Sequence, residues 1–205
     1  MTALLTAHLI ALLVPLFVAS WRTSVVGLSI QSLLMAWMVM GRQPALTPTL
    51  AVTLLDLALV RGLIVPGALY RVMHSQKRPA RNDVIPPNML SWAIGAAMVA
   101  IAFRCASWLD PPAGSEHVRI AVAAAGVLLG MLVLATQNGA FSQAVGALRI
   151  ENAIALFELG GHAHVPVGLQ FMQVTVFVAT GIAYVVFVAR IAPVSTPPAA
   201  ERPSL

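Results

Sequence analysis

Two glutamates, one aspartate and two arginines stand in stretches of this chain that are otherwise largely apolar. In GALRIENAIALFELGG, residues 146 to 161, Glu151 and Glu158 are seven residues apart, which returns them to almost the same face of an α-helix. In TLAVTLLDLALVRGLIVPG, residues 49 to 67, Asp56 precedes Arg61 by five residues. A carboxylate inside a membrane costs about 2.5–3.5 kcal/mol on insertion scales, and it survives by facing a bundle interior, water or an opposite charge. Such groups are proton-relay candidates, here Glu151, Asp56 and Glu158. Glu151 is the deepest of the glutamates, and a second reading stays open for it: a hydrogen-bonded anchor between helices, with Asn152 and Gln31 as partners.

Other polar residues would support or tune these carboxylates. Arg61 does not deprotonate, so its role is to neutralise a carboxylate rather than to carry a proton. Five residues are about 140° of an α-helix, so Asp56 and Arg61 are expected to face different helices, as in a larger assembly. Arg149 lies about 200° around from Glu151 and is expected to snorkel to the cytoplasmic end. Glu158, within a turn of the opposite end, is expected to be wet. Gln170 and Gln173, three residues apart, are expected to link helices through their amides or to hold ordered water. Pro66 is expected to kink the segment that carries Arg61.

The elements that position these residues follow from composition. Of 205 residues, 59% are hydrophobic and only 9% are charged, with mean hydropathy +0.87. A soluble domain has about a quarter of its residues charged. The sequence therefore specifies an all-α integral membrane protein. Its formal charge of +5 reads as topology marking rather than nucleic-acid binding. The N-terminal apolar run has no Lys or Arg ahead of it and is taken as a retained first span. The single Cys105 provides neither a disulfide nor a thiolate set for an iron–sulfur cluster. His162 and His164 are the one close histidine pair. They have no third ligand nearby, so they read as a polar loop with no metal. Nucleotide-binding and hydrolase motifs are absent from the sequence, so no cofactor is expected in this chain.

Seven stretches are long enough to cross the hydrocarbon: 4–20, 24–40, 49–70, 91–108, 120–136, 144–160 and 167–189. Arg22, Arg71, Lys77, Arg78, Arg81, Arg190 and Arg202 all fall on one side of such a bundle. By the positive-inside rule this side is the cytoplasm, with the N-terminus outside. An offset of 120 residues aligns Gln31-Ser32 with Glu151-Asn152, Trp37 with Phe157 and Gly41 with Gly161. Chance similarity between apolar helices is the competing explanation. If the repeat is real, the chain is three spans, one extra span and three spans, with parallel repeats. Residues 1–73 are then an N-terminal triplet, 74–90 a basic cytoplasmic loop, and 91–118 a linking span with an outer loop. Residues 119–191 are a second triplet, and 192–205 a Pro-rich disordered tail.

Residues 137 to 160, QNGAFSQAVGALRIENAIALFELG, resemble the matching stretch of component E of hydrogenase-4 and formate hydrogenlyase-type complexes. VRGLIVPGALYR, 60 to 71, is similar to that family's third span, with a basic residue at the place of Arg61. The family's second triplet is similar to the K subunit of respiratory complex I and to the C subunit of multi-subunit Na⁺/H⁺ antiporters. The resemblance implies a non-redox membrane subunit of a complex I-like assembly. Its partners would be antiporter-like membrane subunits and, indirectly, peripheral redox subunits that hold iron–sulfur clusters and a nickel–iron site. It places Glu151-Asn152 on a buried polar axis. The second acidic residue that the family implies for the last span is missing, because its place falls at Gln173-Val174. A scaffold or assembly subunit without an ion path, and an antiporter C-type component, are the alternatives. A stand-alone transporter is disfavoured because no substrate cavity is evident.

Overall fold

Hydrocarbon offers the backbone no hydrogen-bond partners, so apolar runs of this length must satisfy their own N–H and C=O groups as helices. A computed structural model of the protein describes residues 1–17, 20–42, 47–75, 89–109, 114–137, 139–160 and 166–191, and among them there is no strand. The described residues form seven helices: α1 Thr2–Phe17, α2 Trp21–Met40, α3 Pro48–Ser75, α4 Met89–Leu109, α5 Ser115–Thr136, α6 Ala140–Glu158 and α7 Val167–Ile191. Five of them, α2, α3, α4, α5 and α7, are long and apolar enough to cross a membrane. The apolar part of α1 is shorter, and α6 is the helix that carries Arg149, Glu151 and Glu158. The chain is an all-α, multi-pass membrane protein.

The helix starts follow local rules. Thr47 caps α3 by accepting from Leu50 N–H at 3.1 Å, and Pro48 fills the first position, where no N–H is needed. Gly114, ahead of α5, holds φ +114, a conformation open to glycine at little cost. Arg42 and Arg119 meet the far end of α6. Arg42 Nη1 donates to Leu159 O at 2.9 Å, and Arg119 Nη1 donates to Leu156 O at 2.8 Å and also to Phe157 O. Cations belong at a helix C-terminus, where the unpaired carbonyls concentrate negative potential. Glu116 joins Arg119 and Arg42, the latter at 3.8 Å, so these charges form one network at one end of the bundle.

Each helix of the first triplet packs on its counterpart in the second: α1 on α5, α2 on α6 and α3 on α7. Counterparts run parallel. Ser32 meets Asn152 and Arg42 meets Leu159 between α2 and α6, while Arg61 meets Phe177 and Val65 meets Gly181 between α3 and α7. The linking helix α4 lies outside, against α5 and α1, and is among the least buried. Small residues set the closest approach, between α5 and α6. A Cβ on Gly126 would fall 2.8 Å from Ala153 Cβ, and one on Gly130 would fall 3.0 Å from Gly146 O. Leu5, Leu12, Met35, Leu129 and Leu156 fill the core between α1, α2, α5 and α6. A second core, with Val25, Leu28, Val60, Leu148 and Phe177, joins α2, α3, α6 and α7. Of the expected 74–90 loop, the first two residues end α3 and the last two begin α4; residues 76–88, the 192–205 tail, the histidine pair and Gly161 lie outside the described residues.

Candidate functional site

The middle of α3 is not an α-helix. Leu55–Ile64 is π-helical, with hydrogen bonds reaching one residue further than in the α form. This winding overturns the expectation that Asp56 and Arg61 face different helices. Residues five apart come onto one face, and Arg61 Nε donates to Asp56 Oδ2 at 2.8 Å. The departure from α geometry lies just ahead of Pro66. The proline has no N–H to give, and its ring would crowd the carbonyl four residues back, so a wider turn there relieves it.

Arg61 also reaches beyond its own helix. Nη1 donates to the backbone oxygen of Glu151 at 3.3 Å, and the guanidinium lies 3.9 Å from the centroid of the Phe177 ring. One side chain thus ties α3 to α6 and α7. Glu151 is half-buried, and Arg61, Asp56 and Tyr184 are within electrostatic reach of it. No described residue hydrogen-bonds its carboxylate.

A cleft of about 500 Å³ lies between α3, α6 and α7, with Arg119 of α5 at its edge, and its polar lining includes Thr53, Asp56, Arg61, Glu158, Gln170 and Gln173. Asp56 Oδ1 and Gln170 Oε1 are buried in it without a hydrogen-bond partner. Two free acceptors in a space this size suit ordered water. At the mouth, exposed Glu158 accepts from Gln173 Nε2 at 3.2 Å through both oxygens, which is the helix-linking role expected of that amide. Asp56 and Glu158 therefore share the cleft. Glu151 does not line it, and joins the site through Arg61 at the inner end.

Three sequence expectations fail here. Asn152 and Gln31 do not support the Glu151 carboxylate. Asn152 lies about 100° further round α6, and its Nδ2 donates to Ser32 Oγ at 3.3 Å. Gln31 Nε2 donates to Ala11 O at 3.4 Å, a carbonyl that Pro15 has no N–H to bond. Arg149 does not snorkel, being only 1% exposed, with Nε and Nη2 unpartnered. The reason is helix length. Helix α6 begins at Ala140, a turn before residue 144, which leaves Arg149 at its midpoint and about 13 Å of helix from either end.

Sequence reasoning missed Arg119, Phe177 and Tyr184. Arg119 is only 4% exposed and holds the α6 carbonyls. Among the described residues no group of three or more His, Cys, Asp or Glu is placed to hold a metal ion. Comparison with known proteins finds no matching family model, curated protein or solved structure.

Proposed function

We propose that this chain is a non-redox membrane subunit of a complex I-like hydrogenase or formate hydrogenlyase-type complex, contributing to proton or Na⁺ translocation coupled to electron transfer. The observation that carries the reading is Arg61, paired with cleft-lining Asp56 and bonded to the backbone of Glu151. A cation shared in this way makes the charge at either carboxylate sensitive to the other. Water in the cleft would bring protons from Glu158 to Asp56. Arg61 would pass on the charge state but not the proton, since its guanidinium does not deprotonate. The resemblance adds the setting: the bacterial cytoplasmic membrane, antiporter-like neighbours, and partner subunits with iron–sulfur clusters and a nickel–iron site. Arg22, Arg71 and Arg190 on one side favour an outer N-terminus and a cytoplasmic C-terminus.

A scaffold role is the second reading, favoured by Gln173 at the place where the resemblance implies an acid, tied to Glu158. The two separate at Glu151→Gln, which keeps size and hydrogen bonding but removes the titratable proton. In vesicles holding the assembled complex, the relay predicts electron transfer with weakened proton movement. A normal proton-to-electron ratio would leave Glu151 as an anchor.

A further inference from the structure

The outer stripe of α6 is unlike the rest of the lipid-facing surface. Glu151, Ile154 and Glu158 recur at helical spacing, with Glu151 half-buried, Ile154 48% exposed and Glu158 exposed. Glu151 stands two residues past the midpoint of α6, where acyl chains would otherwise meet it. The local charges do not balance. Arg61 is the one cation facing two carboxylates: it is paired with Asp56 and hydrogen-bonds only the backbone oxygen of Glu151, so the three side chains together carry one negative charge in excess when Glu151 is ionised.

We propose that the α6 face carrying Glu151 and Ile154 is an interface for a transmembrane helix of a different polypeptide, which presents a Lys or Arg at the depth of Glu151. Charge complementarity selects that occupant. Lipid leaves the carboxylate against hydrocarbon, at a cost about as large as that of the charge itself. No described arginine of a second copy of this chain is placed to supply the cation. The exposed arginines on its described helices, Arg22, Arg71, Arg104 and Arg190, all stand within about a turn and a half of a helix end. The buried ones, Arg61, Arg119 and Arg149, cannot reach outward. This surface follows from the exposure of Glu151 and stands whether or not an ion path runs through the chain.

The test places a photoreactive benzoylphenylalanine at Ile154 in the full chain, in its native membranes, with Met131 on α5 as an exposed control. Adducts are identified by mass spectrometry. The expected product joins Ile154 to a membrane-spanning segment of another protein that contains Lys or Arg. Glu151→Lys, which sets like charges together, should lower its yield about tenfold or more, while Glu151→Gln lowers it less. Adducts at Met131 should be unchanged, which shows that the variants fold. The proposal falls if Ile154 captures only lipid or another copy of this chain. It also falls if it captures a segment without a basic residue, or if the yield ignores Glu151→Lys.

Discussion

Asn152 donates through Nδ2 to Ser32 Oγ at 3.3 Å, and the two residues are 120 positions apart in the chain. Both are buried, at 2% and 0% exposure, between parallel helices that occupy matching places in the two triplets. The contact between α2 and α6 thus holds a buried polar pair.

Ser32→Ala removes the acceptor and leaves the Asn152 amide buried and unpaired, so it should destabilise the protein by about 1–3 kcal/mol. Asn152→Leu should cost less than that in the Ser32→Ala background. A double-mutant cycle on thermal unfolding in detergent should return a coupling of about 0.6 kcal/mol, typical of interhelical hydrogen bonds in membranes. Strict additivity would show that the pair carries no coupling.

The Asp56–Arg61 pair makes a different forecast. Breaking a largely buried ion pair from one side strands the other charge, at about 3–5 kcal/mol, whereas replacing both can be nearly neutral. Asp56→Asn and Arg61→Leu should each lower the yield of folded protein, and the double variant should recover most of it. Size-exclusion recovery of a fluorescent fusion reads this directly. Arg61→Lys should not rescue, because a single ammonium cannot hold Asp56 and Glu151 O together as the planar fork does.

The helices were legible in the sequence because hydropathy alone sets them, and all seven apolar runs became helices. The 120-residue offset aligned Ser32 with Asn152 as equivalents, and in the structure the two meet as hydrogen-bond partners. What could not be read was side-chain direction. Asp56 and Arg61 were projected at about 100° per residue, and a π-helical stretch changes that angle without any composition signal except the nearby Pro66. Arg149 was misplaced by four residues of helix start, enough to turn a surface-seeking side chain into a buried one. GVLLG at 126–130, with its glycines four apart, was a visible sign of the tight α5–α6 contact.

Orientation is testable with two single cysteines in a Cys105→Ala background. Ser75 ends α3 beside the basic loop, and Ser115 begins α5 beside the Arg42–Glu116–Arg119 network. An impermeant maleimide added to intact cells should label Ser115→Cys and spare Ser75→Cys. The reverse pattern would invert the topology.

Arg149 yields the least intuitive expectation. Its side chain is fully enclosed at the centre of α6, with two guanidinium nitrogens unpartnered, and no acidic residue among the described ones forms an ion pair with it. A buried cation without a counter-charge opposes folding unless function or a partner demands it. Arg149→Met keeps most of the volume and removes both the charge and the unmet donors. The isolated chain should then unfold at a higher temperature in detergent, by a gain of about 1 kcal/mol or more. Arg149→Ala should gain less, since it leaves a cavity that costs stability in proportion to its volume. Arg149→Lys should gain nothing, because the charge stays. A clear loss on Arg149→Met would show that this guanidinium is satisfied in the folded protein.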